Sequence, residues 1–317
     1  LAYNLCFMPT MSLANTLSFH NISDQESEFP LIRVFGTVGW IVAGLVVSFG
    51  LGAFVAEGVQ PEATAVPLYL TSATSLLLGL YSFTLPHTPP PARGEEVSIR
   101  SIVGIDALQK LGSRSFYVFL ISSLLISIPL AAYYNFTQIY LGVAGFENIA
   151  ATQSIGQMSE VIFMLLMPFF FVRLGVKWML AAGMGAWVLR YALFALGAPD
   201  AVTWMIIGGI ALHGICYDFF FVTGQIYVDK KSTSDIRGQA QGLIVLLTYG
   251  VGMFIGAQLA GQVYNSFLGT GDALTLAQWH DFWWIPSIFA GVVLLIFIFT
   301  FTDRVVEEET EAAEINL

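Results

Sequence analysis

Four charged side chains stand out as candidates for a place deep inside long apolar stretches of this sequence: Arg33, Glu160, Arg190 and Asp218. A charge at mid-bilayer costs at least about 2.5 kcal/mol on insertion scales, so such residues serve a function or pair with one another. Glu160 and Asp218 could each bind and release a proton as their surroundings alternate between wet and dry. The alternatives are a structural ion pair of Asp218 with Arg190 or Arg33, and an Arg33 that snorkels from the start of its stretch.

Arg33 begins a mixed polar and aromatic face of a predicted helix. Thr37 and Trp40 follow it at i+4 and i+7. At these spacings a cation, a hydroxyl and an aromatic ring project together from one side of a helix. This combination suits a polar, planar ligand.

A second polar stripe consists of Gln153, Gln157 and Glu160, which are spaced i, i+4 and i+7. Lipid would not tolerate this stripe, so we expect it to face the interior of a helix bundle. For Gln153 an interhelical hydrogen bond, worth about 0.6 kcal/mol on average, explains the polarity equally well. We interpret Arg190, near the middle of its stretch, as a buried partner of a carboxylate or of backbone carbonyls.

The elements that carry these residues are membrane spans. Of 317 residues, 56% are hydrophobic and only 11% are charged, and the mean hydropathy is +0.74. Windows this long and uniformly apolar predict an all-α polytopic membrane protein rather than a β-barrel. About nine windows are present: 1–19, 31–54, 64–86, 114–142, 150–174, 177–197, 202–228, 238–266 and 280–302.

The basic residues predict the orientation of the spans. Ten of the 12 Lys and Arg flank spans or occupy alternate loops, and the opposite loops hold none: Arg93, Arg100, Lys110, Arg114, Arg173, Lys177, Lys230, Lys231, Arg237 and Arg304. By the positive-inside rule, the loops near 87–113, 173–177 and 229–237 and the C-terminal tail are cytoplasmic. Trp279, Trp283 and Trp284 would then lie at the outer interface, where we expect them to be lipid-level anchors.

A polar segment at 87–113 divides the chain. It contains three consecutive prolines and then a predicted interfacial amphipathic helix over 99–111. We therefore expect three spans of an N-terminal bundle in 1–86, a cytoplasmic linker in 87–113, a six-helix bundle in 114–302 and an acidic tail in 303–317. A six-plus-six protein that lacks its first three spans would explain the odd count and the missing initiator Met.

Other classes of site have no support in the sequence. The four histidines show no metal-ligand spacing, so we expect no metal. No phosphate-binding glycine loop, nucleophile elbow or paired carboxylates occur in a polar loop, which argues against an enzyme and against a cofactor. Gly252, Gly256 and Ala260 form a small-residue face that predicts close helix packing.

Several segments resemble the major facilitator superfamily and, within it, the bacterial nucleoside:proton symporter family, from the fourth span to the tail. The more specific ones are the Arg-x-x-Gly-Thr-x-Gly run in 33–39, which Trp40 follows, and the Gln157-x-x-Glu160 pair. The others are Phe7 to Thr10, Asn15-Thr16, Phe29 to Ile32, Leu85 to His87, Pro168 to Phe170, Arg173 to Lys177, Asp218 to Phe220 and Arg237 to Gly242.

The resemblance implies proton-driven uptake of nucleosides by alternating access between two six-helix halves. It implies that Arg33 and Thr37 contact the nucleoside and that Trp40 is an aromatic position beside it. It also implies that Gln157 and Glu160 reach the base or ribose, and that Asp218 serves proton coupling or substrate binding. The stretch 130–141 departs from the family pattern. Ala131 and Tyr134 stand where the family has polar residues, with Asn135 and Gln138 nearby as further candidates.

Two alternatives remain open at this point. One is a facilitator-fold symporter for another small polar solute such as a sugar, which would use the same Arg, Gln and carboxylate chemistry. The other is an intramembrane enzyme or a non-transporting receptor. In each case we expect a monomer in a bacterial inner membrane, with the lipid bilayer and a small solute as its partners and no nucleic acid.

Overall fold

The computed structural model describes residues 2–56, 59, 64–89, 100, 103–146, 149–269 and 271–302. Within these ranges the regular elements are all helical. The helices are α1 Ala2–Asn21, α2 Gln25–Leu45, α3 Val66–Ser82, α4 Ile105–Lys110, α5 Arg114–Val143, α6 Ile149–Gly197, α7 Thr203–Ala211, α8 His213–Tyr217, α9 Thr223–Lys231, α10 Arg237–Val245, α11 Met253–Leu268 and α12 Leu276–Thr300.

Short irregular turns continue several of these helices. Val46–Gly50 is a π turn and Leu51–Phe54 a 3₁₀ turn, and both extend α2. Two more π turns, Asp218–Val222 and Leu246–Gly252, join α8 to α9 and α10 to α11. The spans Thr203–Lys231 and Arg237–Leu268 are therefore continuous helical segments with local widening.

Six helical segments in the described part of the chain are long and apolar enough to cross a membrane. The longest is α6, whose 49 residues are interrupted at Gly175 (φ 63°, ψ 176°). Glycine adopts this positive φ without a Cβ clash, so it separates two arms that match the windows 150–174 and 177–197. The all-helical prediction is confirmed, while the number of crossings stays a prediction.

Local sequence fixes where the helices begin. The Asp24 carboxylate accepts hydrogen bonds from the backbone N–H of Glu26 (3.0 Å) and of Ser27 (3.4 Å), which caps α2. The hydrogen bond from the Ser27 side chain is the main cause of the lowered pKa of Asp24. A capping box of Thr275 and Gln278 starts α12 in the same way.

The core lies between α5, α6 and α12, and it corrects one expectation. Trp279 and Trp283 are fully buried, not at lipid level. Their rings stack on each other with centroids 5.8 Å apart, and Trp283 also stacks on Tyr191 at 5.8 Å. The two indoles are one helical turn apart and face α5 and α6, so they fill the bundle. Trp284, on the next face, is only partly buried.

Small residues bring α11 against α5, as predicted. A Cβ added to Gly256 would lie 2.6 Å from the carbonyl oxygen of Ile128, and one on Gly252 would lie 2.7 Å from Cβ of Ser127. Both distances are shorter than side chains tolerate, so these two positions require glycine for the helices to pack this closely.

One end of the bundle, where the loops 22–24 and 232–236 lie, joins the first helices to the later ones. The Arg237 Nε lies 2.7 Å from Asp229 Oδ1, and Asp229 is buried. Arg237 also donates Nη1–H to the carbonyl oxygen of Phe19 in α1 (3.4 Å). Lys230 forms a salt bridge with Glu26 at the start of α2. These contacts link α1 and α2 to α9 and α10. We call this end of the helix bundle, with Glu26, Lys230 and Arg237, the closed end.

The structure describes residues 87–89, 100 and 103–113 of the linker, and α4 lies in the last of these ranges. Its Ala107 is buried and Leu108 packs on the core. The Lys110 Nζ donates a hydrogen bond to Asp235 Oδ2 at 2.5 Å. This hydrogen bond is the main cause that lowers the pKa of Asp235 to about 2. The residues 90–99, 101–102 and 303–317, which carry part of the amphipathic helix and the acidic tail, lie outside the described residues.

The Asp229–Arg237 pair predicts a stability effect. Replacing Arg237 by Ala leaves a buried carboxylate without its cation, a change that typically costs about 3–5 kcal/mol. We expect the Tm of the purified protein in detergent to fall, and to recover in part when Asp229→Asn is added. The matched control is Lys110→Ala, which breaks an exposed pair and should lower the Tm much less. Equal losses in both single variants would contradict this assignment.

Candidate functional site

A hydrogen bond between Thr37 and Glu160 joins α2 to α6. The Thr37 hydroxyl donates to Glu160 Oε1 at 2.6 Å, and the two residues are buried, with 5% and 6% of their surface exposed. The sequence predicted that Thr37 and Glu160 each lie on a polar face of a helix. In the structure Thr37 of α2 and Glu160 of α6 face each other. The bond therefore connects the helices before the linker with those after it.

Asp218 is a fully buried carboxylate, and within the described part of the chain neither of its oxygens has a hydrogen-bond partner. It begins the π turn Asp218–Val222, where the helix widens, as π turns often do at functional sites. Gly183 of α6 allows this turn to approach, since a Cβ there would lie 2.9 Å from the backbone nitrogen of Phe220. Among the described residues, neither Arg33 nor Arg190 forms an ion pair with Asp218.

Arg33 supplies a positive charge near both carboxylates. The Tyr217 and Tyr249 hydroxyls and the Glu160 and Asp218 carboxylates act electrostatically on it. Its side chain is partly exposed, and its Nε is buried with no hydrogen-bond partner among the described residues. If all three groups were ionised, the cluster would carry one net negative charge. One added proton would make it neutral, which a low-dielectric site favours.

The structure adds an aromatic wall that the sequence did not single out. Tyr217 and Tyr249 meet with their hydroxyl oxygens 2.5 Å apart, and each comes from or adjoins a π turn. Phe221 packs against both rings, with centroids 5.1 Å and 5.4 Å away. The Asp218-Phe-Phe run marked one side of this wall, but no spacing rule links it to Tyr249 on another helix.

The other predicted site residues lie at the edge of this cluster or are exposed. Gln157 is nearly buried and its Oε1 has no hydrogen-bond partner. Trp40 is 60% exposed. Asn135 is exposed and donates to the carbonyl oxygen of Ala131 (2.7 Å). Gln138 donates to Gln153 at 3.3 Å, which is the interhelical bond considered for Gln153.

Arg190 is a buried partner of a backbone carbonyl, as interpreted from the sequence. It donates Nε–H to the carbonyl oxygen of Gly209 (3.0 Å), and its guanidinium carbon lies 4.2 Å from the ring centroid of Tyr133. Its two terminal nitrogens have no hydrogen-bond partner in the described structure. The Arg190 cation therefore packs on the Tyr133 ring and forms no salt bridge with Glu160 or Asp218 in the described structure.

The arrangement can bind a polar solute and a proton. It combines one cation, two buried carboxylates, an amide and tyrosine hydroxyls between helices that belong to different parts of the chain. No group of three or more His, Cys, Asp or Glu that could hold a metal occurs in the part of the chain that the structure describes.

Known proteins are similar to this chain in sequence and in fold. A family model described as nucleoside H+ symporter matches residues 1–305. The putative nucleoside transporter YegT of Escherichia coli (strain K12) is 38% identical over 307 residues, covering 96% of this chain and 72% of that protein. The nucleoside permease NupG of the same organism is 32% identical over 312 residues, covering 93% and 71%. The xanthosine permease of that strain is 31% identical over 314 residues, covering 94% and 72%.

Solved structures agree with these matches. The crystal structure of the nucleoside transporter NupG in a variant with one aspartate replaced by alanine superposes with a TM-score of 0.70 at 30% identity, covering 93% of this chain and 74% of that chain. The unmodified NupG structure gives 0.66, with coverage of 93% and 73%. The fold is that of a major facilitator transporter, and the chain belongs to the nucleoside H+ symporter family.

Proposed function

We propose that this protein imports nucleosides together with protons by alternating access to a central cavity. The observation that carries the proposal is the buried Asp218 carboxylate without a partner, close to the Glu160 carboxylate that bonds across to α2. An ionised carboxylate in this position costs several kcal/mol, and binding a proton removes that cost. Asp218 therefore holds a proton in this conformation.

The remaining groups suit a nucleoside. Arg33 offers donors to carbonyl oxygens of a base, and the unbonded Gln157 Oε1 can accept from an amino or hydroxyl group. Glu160 accepts strongly from hydroxyl donors, as it does from Thr37. Asn135 and Gln138 supply further polar contacts from α5, and Trp40 an aromatic surface. The relatives described as nucleoside transporters support this substrate class.

The closed end of the bundle indicates from which side of the membrane the proposed cavity is closed. The positive-inside rule assigns this end, with Lys230, Lys231 and Arg237, to the cytoplasm. The C-terminus is then cytoplasmic, and the Lys230–Glu26 and Arg237–Phe19 contacts shut the cavity from that side. Opening to the cytoplasm must separate these contacts and the Thr37–Glu160 bond.

The two bodies that move are the segments on either side of the linker. Residues 1–86 act as part of an N-terminal bundle and residues 114–302 as the C-terminal bundle, joined by 87–113. The protein works as a monomer in a bacterial cytoplasmic membrane, and it moves its substrate without changing it chemically. The transporter relatives support this class of protein.

Uptake of labelled uridine tests the proposal directly. Cells that lack nucleoside transporters, expressing the full-length protein, should accumulate uridine, and a protonophore should abolish the accumulation. Asp218→Asn mimics the protonated residue, so it should lose accumulation but keep exchange of uridine across the membrane. Arg33→Ala should lose both activities because a donor to the substrate is removed.

The matched control is Asp200→Asn, which changes an exposed aspartate in a loop and should transport normally. Accumulation that persists with the protonophore, or in Asp218→Asn, would refute proton coupling through this residue. If a well-inserted protein fails to take up uridine but takes up a labelled sugar, the substrate is another polar solute.

The Thr37–Glu160 bond predicts a second result. Thr37→Val removes a hydrogen bond to a charged group, worth about 1.5–3 kcal/mol, so uptake should fall roughly tenfold or more. Thr37→Ser keeps the hydroxyl and should retain most of the uptake. Initial rates of uridine uptake at matched expression measure both. Equal activity of the Val and Ser variants would show that the hydroxyl has no part in transport.

A further inference from the structure

His213 lies beside the oxygen of Glu160 that Thr37 does not use. It begins α8 inside the span Thr203–Lys231 and is only 3% exposed. Its Nε2 lies 3.6 Å from Glu160 Oε2, whereas Thr37 bonds Oε1. This distance is about 0.5 Å longer than the usual length of an N–H···O hydrogen bond. A small rotation of the carboxylate would bring the two atoms within that length. The carboxylate is thus held between α2 and α8.

The imidazole has little freedom to leave this position. Its ring stacks on Tyr133 and on Tyr217, with centroids 5.7 Å and 5.6 Å away. A Cβ on Gly156 would lie 3.0 Å from His213 Cβ. The contact between α8 and the turn of α6 that carries Glu160 is therefore as close as the backbones allow.

A second close contact fixes the residue after the histidine. A Cβ on Gly214 would lie 2.5 Å from the carbonyl oxygen of Ser159, so only glycine fits there. The Gly214 N–H also donates to Ser159 Oγ (2.9 Å). The residues next to His213 and Glu160 are therefore joined by a hydrogen bond, from Gly214 to Ser159.

Burial inside a membrane span favours a neutral imidazole, because it penalises the charged form of His213. The titratable and charged groups around it are Arg33 of α2, Tyr133 and Tyr134 of α5, Glu160 and Arg190 of α6, Cys216 and Tyr217 of α8, and Asp218 of the π turn. The fixed cation of Arg190 acts on His213 and repels a second positive charge there.

The tautomer follows from the hydrogen-bond partners. The His213 Nδ1 is buried without a partner in the described structure. A proton on Nε2 gives Glu160 a donor and leaves Nδ1 as an unused acceptor. The opposite tautomer would bury an unpaired N–H and turn a lone pair towards the carboxylate.

We propose that His213 is a positioning residue for Glu160, a neutral imidazole that donates Nε2–H to Oε2 and keeps the carboxylate aimed into the cavity. The inference rests on the proposed function and deepens it. The Thr37 bond crosses between the two parts of the chain that must separate, so it opens during transport. His213 shares a packed contact with α6, so it holds Glu160 before and after that opening.

Two substitutions distinguish hydrogen-bond donation by His213 from two other roles, which are carrying a proton and packing as a ring. His213→Gln places an N–H near the position of Nε2 but cannot become a cation, and His213→Phe keeps a stacking ring without a donor. In the full-length protein, uridine accumulation should stay within about twofold for Gln and fall roughly tenfold or more for Phe, as expected for loss of a donor to a charged group. Equal loss in both variants, or none in Phe, overturns the proposal.

A melting experiment without substrate decides the same point independently. If His213 acts on Glu160, the Tm effects of His213→Phe and Glu160→Gln in detergent should be non-additive by about 2 °C or more. The control is His280→Phe, a half-buried histidine that bonds the carbonyl oxygen of Ala195 and should be additive with Glu160→Gln. Additive effects for His213 overturn the inference. Absence of uridine transport in the unchanged protein would refute the proposed function but not this coupling.

Discussion

A carboxylate inside a bilayer must be hydrogen-bonded, paired with a cation or protonated, since no water solvates it there. Three buried acids in this protein illustrate these solutions. Asp229 pairs with Arg237, and Glu160 accepts a hydrogen bond from Thr37. Asp218 has neither kind of partner among the residues that the structure describes. The first solution builds structure, while the other two create groups whose state can change. The proposed coupling of a solute to a proton depends on this difference.

The fold makes these environments through local departures from regular helix. The π turn at Asp218–Val222 turns a carboxylate and three aromatic rings inward, and a second π turn at Leu246–Gly252 brings Tyr249 to Tyr217. Glycines at 183, 214 and 256 allow the backbones to approach where a Cβ would clash. The apolar packing of α5, α6 and α12 surrounds these elements with a buried core.

Much of this arrangement could be read from the sequence, because lipid imposes strong rules on composition. Window length predicted the helices, and the i, i+4, i+7 rule found Thr37 and Glu160 on inward faces. The rule describes one helix at a time, however. It could not show that His213, which has no metal-ligand spacing, lies against Glu160. It also could not tell that Trp279 and Trp283 face the core, since nearness to a loop does not say which side of a helix meets lipid.

The most direct test of proton coupling is a measurement of proton movement itself. Purified full-length protein is reconstituted into liposomes that contain a pH-sensitive dye, and uridine is added outside with no pH difference. The account predicts that the lumen acidifies as uridine enters, and that Asp218→Asn abolishes the acidification while uridine still equilibrates. Entry of uridine into liposomes with the unchanged protein and no change in luminal pH would contradict it.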